Sequence, residues 1–200
     1  MFSYAAGGLG STLDDLAKWD SALREHRLIN AQTSEAMLTP TSLGDGSLYP
    51  YGFGWGLTDD YLGQRLIHHA GGVSGFACQM VRLRDQDLTT IVLSNLYLFP
   101  FDQVSRGLLR IALDRPLQPP ALTATTARQM TACAGRYVGA DGRPMQIEAG
   151  PHWASLREDR LCDPADPEVE FRFSELRGGR YQRLDYVSPL WPAAASLRAD

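Results

Sequence analysis

Lysine is nearly missing from this 200-residue chain, where Lys18 stands alone among many arginines. That bias reads as a coding preference and carries no function by itself. No basic block gathers on any segment and the formal net charge is −4, which argues against a nucleic-acid partner. Cysteine is also scarce. Cys78, Cys133 and Cys162 are odd in number, far apart and without a C-x-x-C pair, so neither a disulfide framework nor a zinc site is expected, and they read as small buried residues. His26, His69 and His152 fall among scattered carboxylates with no metal-ligand spacing; no metal and no cofactor is expected. No apolar run approaches the about 18 residues of a membrane span. The opening Met1-Phe2-Ser3-Tyr4 lacks the charged-then-apolar plan of a signal peptide, which leaves the compartment of any longer parent open.

What is present is ordinary globular composition, 44% hydrophobic, 10% aromatic and 21% charged, enough for one large domain or two small ones. Ala5-Ala6-Gly7-Gly8-Leu9-Gly10 is a turn of small residues. Ser11 or Thr12 then caps a helix, with Thr12 to Asp15 in capping-box spacing. Leu13, Leu16, Ala17 and Leu23 share one face, so the helix is expected over 13–26. A second helix is expected over 31–38, stopped by Pro40, then a loop over 41–50. Tyr51-Gly52-Phe53-Gly54-Trp55-Gly56-Leu57 alternates aromatic and glycine, which predicts a strand whose aromatics are core. Further strands are expected at 65–68, 76–83 and 88–93, the last two as a hairpin over Arg84–Asp87. An amphipathic helix follows over 102–113. Pro116, Pro119 and Pro120 mark a linker, taken as 116–129. Beyond it, short runs at 135–138, 145–148, 153–157, 169–173 and 181–187, separated by turns such as Asp141-Gly142 and Gly178-Gly179, predict a small antiparallel β module over 130–191. The tail over 192–200 is expected to fray.

The segment His68-His69-Ala70-Gly71-Gly72-Val73-Ser74-Gly75-Phe76 carries the most chemistry. Glycine has no Cβ, so backbone N–H groups beside a histidine can come within reach of a bound carbonyl, as an oxyanion site requires. Spacing alone also fits a histidine in a tight turn with no chemistry. Ser74 is no nucleophile elbow, since Gly-x-Ser-Gly precedes a strand and not a helix. Ser94 and Asn95 end an apolar strand and read as turn residues.

Five features recur in order: Ala5-Ala6-Gly7-Gly8-Leu9 before Ser11-Thr12-Leu13-Asp14-Asp15-Leu16; Tyr51-Gly52-Phe53-Gly54-Trp55; His69-Ala70-Gly71-Gly72; Gly75-Phe76; and Val92-Leu93-Ser94-Asn95. Together they resemble the C-terminal half of the β-lactamase-related serine hydrolases, a family of class C β-lactamases, D-alanyl-D-alanine peptidases, D-aminopeptidases and esterases. The resemblance covers about residues 4–113. It implies an α+β class: a partial β-lactamase/transpeptidase-like fold, an antiparallel sheet with flanking helices. Residues from Gly135-Arg136-Tyr137 onward resemble the lipocalin-like module that often follows such hydrolases, so a small antiparallel β-barrel-like domain is expected there. His69-Ala70-Gly71 falls on the family's third motif, Lys-Thr-Gly or His-x-Gly. By that resemblance His69 lines the catalytic cleft, Gly72 donates its backbone N–H to the oxyanion, and Ala70 and Gly71 border the substrate; His68 faces the other way and is structural. Alanine at position 70, where the family often has threonine, removes a hydroxyl and favours ester or peptide substrates over a β-lactam carboxylate.

The chain departs from the family in one decisive place. Ser-x-x-Lys needs a lysine, and three residues before Lys18 stands Asp15. Tyr186-Val187-Ser188 fits a Tyr-x-Ser pattern but in the wrong order. The nucleophile is therefore not in this chain, which is expected to be a fragment, a truncated reading frame or one partner of a split protein. The parent's substrate would be a small ester, peptide or amide. The isolated chain is expected to bind a separate N-terminal half or itself through an exposed sheet edge. The alternative is a non-catalytic relative that binds a ligand or a protein.

Overall fold

The computed structural model describes residues 4–117, 121–139, 142–150, 153–157, 159–163, 165–190 and 195–199. It divides into two compact units, Met1–Leu117 and Gln118–Asp200. The expected Asp141, His152 and Pro192 features fall outside the described residues.

In the first unit, helix α1 spans Leu13–Arg24. Thr12, not Ser11, is its cap: its Oγ1 accepts the Asp15 N–H at 3.2 Å, and Asp14 and Asp15 sit at the positive end of the helix. The helix stops two residues before His26, which adopts φ 54 while Arg27 N–H bonds back to Ala22 O at 2.9 Å. Helix α2, Ala31–Met37, is capped by Asn30, whose side chain accepts from Thr33 N–H at 2.8 Å. The expected loop over 41–50 folds into a small hairpin of β1, Thr41–Ser42, and β2, Leu48–Tyr49.

Four strands make the main sheet: β3 Gly56–Tyr61, β4 Gln64–Val73, β5 Phe76–Leu83 and β6 Thr89–Ser94, antiparallel in the order β3-β4-β5-β6. Helix α3, Phe101–Ala112, packs on β5 and β6. Two expectations change. The glycine segment is strand, because β4 continues through Val73 and turns only at Ser74-Gly75, where Gly75 has φ +87. The Tyr51–Leu57 alternation is not strand along its length. Gly52 N–H bonds to Trp55 O at 2.8 Å and Gly54 has φ +81, so 52–55 form a turn and β3 begins at Gly56. A Cβ on Gly52 would collide with the Met37 carbonyl, which is why the chain can turn there only with glycine.

Alternation along β5 sends its residues to two faces. Met80 joins Leu23, Leu38, Trp55, Leu57 and Ile67 in a core that includes residues of α1 and α2. Arg82, on that face, reaches Asp20 of α1 at 3.4 Å. Asp20 is 2% exposed and also accepts from Thr89 Oγ1 at 2.9 Å and pairs with Arg24 Nε at 3.2 Å. Gln79 faces the other way and donates to Asp102 of α3 at 3.0 Å, and Asp102 also accepts from the buried Arg106 at 3.1 Å. Leu66, Val81, Leu83 and Leu109 are fully buried.

The second unit is mainly one eight-stranded antiparallel sheet. Its elements are β7 Thr123–Ala124, helix α4 Ala127–Cys133, β8 Gly135–Gly139, β9 Pro144–Ile147, β10 Ala154–Arg157, β11 Arg160–Asp163, β12 Asp166–Arg177, β13 Arg180–Val187 and β14 Ala195–Ala199. The order is β7-β10-β11-β12-β13-β14-β8-β9, and among the described residues no pairing joins β7 to β9, so a closed barrel is not formed. Strand β7 and the start of helix α4 occupy residues expected as linker. Thr126 caps α4 by accepting Gln129 N–H at 3.1 Å. Within the expected tail, residues 195–199 form β14, which pairs with both β13 and β8, inserting between them. Met130 and Cys133 of α4 pack with Tyr137, Ile147, Leu161, Phe173, Leu184 and Leu197. Tyr137 Oη donates to Cys133 O at 2.9 Å, and burial pushes the Cys133 thiol and the Tyr137 phenol each up to about 12.

Two outcomes follow from this packing. Asp20→Ala leaves the buried Arg82 guanidinium without its main counter-charge; burial already pulls the Arg82 pKa below its usual value. Urea unfolding should show a loss of about 3–5 kcal/mol, most of it recovered in the Asp20→Leu/Arg82→Met double variant. In the native protein at pH 8, a thiol reagent should titrate half-buried Cys78 first and reach Cys133 and Cys162 only after unfolding.

Candidate active-site wall

Strand β4 is longer than its neighbour. Its pairing with β3 runs from Tyr61↔Gln64 to Gly56↔His68, where β3 begins. On that side residues 69–73 have no strand partner among the described residues, while on the other side they pair with β5 up to Val73↔Phe76. Val73 and Phe76 close a two-residue turn and form a hydrogen-bonded pair. In an antiparallel ladder such pairs alternate with open ones, so Ala70 and Gly72 aim their backbone N–H and C=O at the unpaired side. The expected site segment is thus a strand end with two sets of backbone groups facing outward.

The side chains alternate as well. His69 shares its face with Ile67 and Gly71, the face covered by α1 and α2. Its Nε2 lies 2.9 Å from Tyr51 Oη, with the two rings edge to face at 6.1 Å. His68 is fully buried on the opposite face. Tyr51 was expected as core with Phe53 and Trp55. Only Trp55 is core, at 4% exposed, stacked on Trp19 at 5.9 Å; Phe53 is 69% exposed. Tyr51 is half-buried, its carbonyl held by Thr41 N–H at 3.0 Å and Thr41 Oγ1 at 2.6 Å. Period-two reading missed its partnership with His69, because that depends on the turn at 52–55.

The glycines differ in what surrounds them. A Cβ on Gly71 would sit 3.0 Å from Cys78 Sγ, and one on Gly72 would sit 3.2 Å from the Tyr97 ring. On the side of Ala70 and Gly72 the strand borders a cavity of about 520 Å³ whose far wall is Tyr97, Leu98, Phe99 and Phe101. A larger depression of about 680 Å³ lies at the β5–β6 turn, lined by Arg24, Glu35, Arg84 and Asp87 among others. It is at the far end of the sheet from His69, since Leu83 pairs with Leu66, and its charges are engaged with one another, as in Arg84–Glu35 and Arg24–Asp87. It is a charged notch, not the His69 site. Ser94 has the turn role expected of it, its Oγ accepting Leu96 N–H at 3.0 Å. Ser74 is exposed at the hairpin tip. Among the described residues no cluster of His, Cys, Asp and Glu could hold a metal.

Comparison with known proteins bears on the family of the chain. Residues 1–115 match the Beta-lactamase family. Over 149 residues the chain is 30% identical to penicillin-binding protein 4* of Bacillus subtilis strain 168, covering 70% of this chain and 33% of that protein. Over 151 residues it is 29% identical to a D-aminopeptidase of Gluconobacter oxydans strain 621H, covering 75% of this chain and 28% of the relative. The chain thus spans about a third of the length of these curated relatives. Among solved structures, the octameric penicillin-binding protein homologue from Pyrococcus abyssi superposes with a TM-score of 0.52 at 18% identity, covering 96% of this chain and 48% of that one. That likeness is one of fold.

Substitution of the glycines should rank by the rigidity of what each Cβ meets. Gly52→Ala, set against a backbone carbonyl, should cost about 2–3 kcal/mol in chemical denaturation. Gly71→Ala, set against a half-buried thiol, should cost about 1 kcal/mol, and Gly72→Ala less, because the exposed Tyr97 ring can move. An equal loss at Gly72 and Gly52 would contradict the geometry.

Proposed function

The chain belongs to the Beta-lactamase family, a family of serine hydrolases, and we propose that residues 69–72 are one wall of an acyl-transfer site whose nucleophile lies outside these 200 residues. The observation that carries this reading is the unpaired end of β4, where a histidine, two glycines and outward-facing N–H groups coincide. A carbonyl substrate laid along that edge would accept from Gly72 N–H. When a serine adds to the carbonyl, its oxygen takes on negative charge. A donor aimed there contributes more to the transition state than to the ground state. His69, its Nε2 within hydrogen-bond distance of Tyr51 Oη, presents an imidazole on the neighbouring face, able to donate or accept a hydrogen bond. Ala70 and Gly71, both small, border the substrate position.

The span of about a third of the curated relatives and the lack of Ser-x-x-Lys both support a fragment of a longer hydrolase. The D-aminopeptidase likeness and the alanine at position 70 favour a peptide or amide of a D-amino acid over a β-lactam. Self-association belongs to the same reading: β6 is an edge strand with exposed Leu93 and no charged residue, a template for another chain.

The isolated 200-residue chain should not label with a fluorophosphonate probe, because one oxyanion donor supplies only about 3–4 kcal/mol and forms no covalent bond. Joined to an upstream segment bearing Ser-x-x-Lys, the label should fall on that serine, and His69→Ala should lower kcat by about 10²–10⁴-fold. Stoichiometric labelling of the chain alone would overturn the reading and direct attention to Ser74 or Ser94. Light scattering of the chain alone should show species larger than a monomer; a cooperative monomer would remove the case for a missing half.

A further inference from the structure

The cavity beside β4 lies against the same strand as His69, but on the opposite face. Ala70 and Gly72 turn their Cβ positions toward it, and being small they leave it open. Its far wall, residues 97–101, is a run of Tyr-Leu-Phe-Pro-Phe between β6 and α3. Leu98 is 83% exposed and Tyr97 54%. No charged side chain lines the cavity. The nearest acid in sequence, Asp102, is already bonded to Gln79 and Arg106.

An extended substrate hydrogen-bonded to the open side of Ala70 and Gly72 behaves as an added strand, so its successive side chains alternate between the two faces of the sheet. One position meets the His69–Tyr51 face. The next meets the cavity. We propose that this cavity is an apolar specificity subsite, which takes a large uncharged side chain, aromatic or branched aliphatic, from the substrate residue next to the scissile bond. The proposal rests on β4 being the substrate-binding wall, and it adds what that wall selects. Two properties identify the occupant as part of the substrate and not a separate protein: the cavity is continuous with the strand that would bind the substrate backbone, and its lining carries no charge. Tyr97, over the Gly72 backbone, is a positioning residue for that side chain.

The test uses three N-acetyl D-amino acid amides with the 200-residue chain: phenylalanine, alanine and glutamate. Binding is followed by residue-resolved NMR shifts. The phenylalanine compound should bind about tenfold or more tighter than the alanine compound, and the glutamate compound weakest. Shifts should concentrate at Ala70–Gly72 and Tyr97–Phe101. Leu98 is so exposed that Leu98→Asp should leave the fold intact, as its own spectrum will report. This variant should lose the phenyl preference while the alanine compound still perturbs His69. Equal affinity for the three compounds, with shifts at His69 and Gly72, would overturn the subsite and leave the wall standing. Shifts that miss β4 altogether would overturn both.

Discussion

The approach of Gly52 to the Met37 carbonyl is the contact on which the site depends. It lets the chain enter the sheet by a turn at 52–55 instead of a continuous strand, and Phe53 N–H then bonds to Met37 O at 2.9 Å. Two consequences follow at once. Strand β3 starts at Gly56, opposite His68, so the last five residues of β4 have no strand partner on that side among the described residues. Tyr51 is left just outside the sheet, where its hydroxyl meets His69. Any side chain at position 52 would push the chain off the end of α2 and disturb both.

The sheet beneath the site is held from two faces by polar contacts as well as apolar ones. Asp20 ties α1 to β5 and β6 through Arg82 and Thr89, and Asp102 ties α3 to β5 through Gln79. Buried ionic groups of this kind add little net stability, because desolvation offsets most of the attraction. They do fix register. A shift of β5 by one residue would send Arg82 to the α3 face and Gln79 to the α1 face, leaving both without their acids. The facing of Gly72 and His69 therefore depends on charged residues outside 69–72.

The second unit shows a different economy. Its core is one cluster under one helix, with Cys133 and Tyr137 joined by a hydrogen bond and both held in their neutral forms by burial. The last strand, β14, enters between β13 and β8, so the sheet is completed only when residues 195–199 are in place.

Much of this was legible in the sequence. Capping chemistry placed α1, since Thr12 acts on a backbone group three residues away, Pro40 bounded α2, and the strand pattern of apolar residues placed β5 and β6. The likeness of His69-Ala70-Gly71-Gly72 to a known motif singled out β4. Local rules failed where a distant atom decides the outcome. The aromatic–glycine alternation at 51–57 satisfies a strand pattern, yet the Met37 carbonyl makes it a turn. Residues 192–200 look like a tail, yet two strands from elsewhere in the chain have an opening between them that 195–199 fill. The sequence by itself determined α1, α2 and α3, the hairpin strands, the candidate histidine and the absence of Ser-x-x-Lys, because each rests on contacts within a few residues or on composition. The tertiary structure decided the Tyr51–His69 pair, the open edge of β4 and the apolar wall at 97–101, because each brings together residues many positions apart whose meeting depends on where neighbouring strands end.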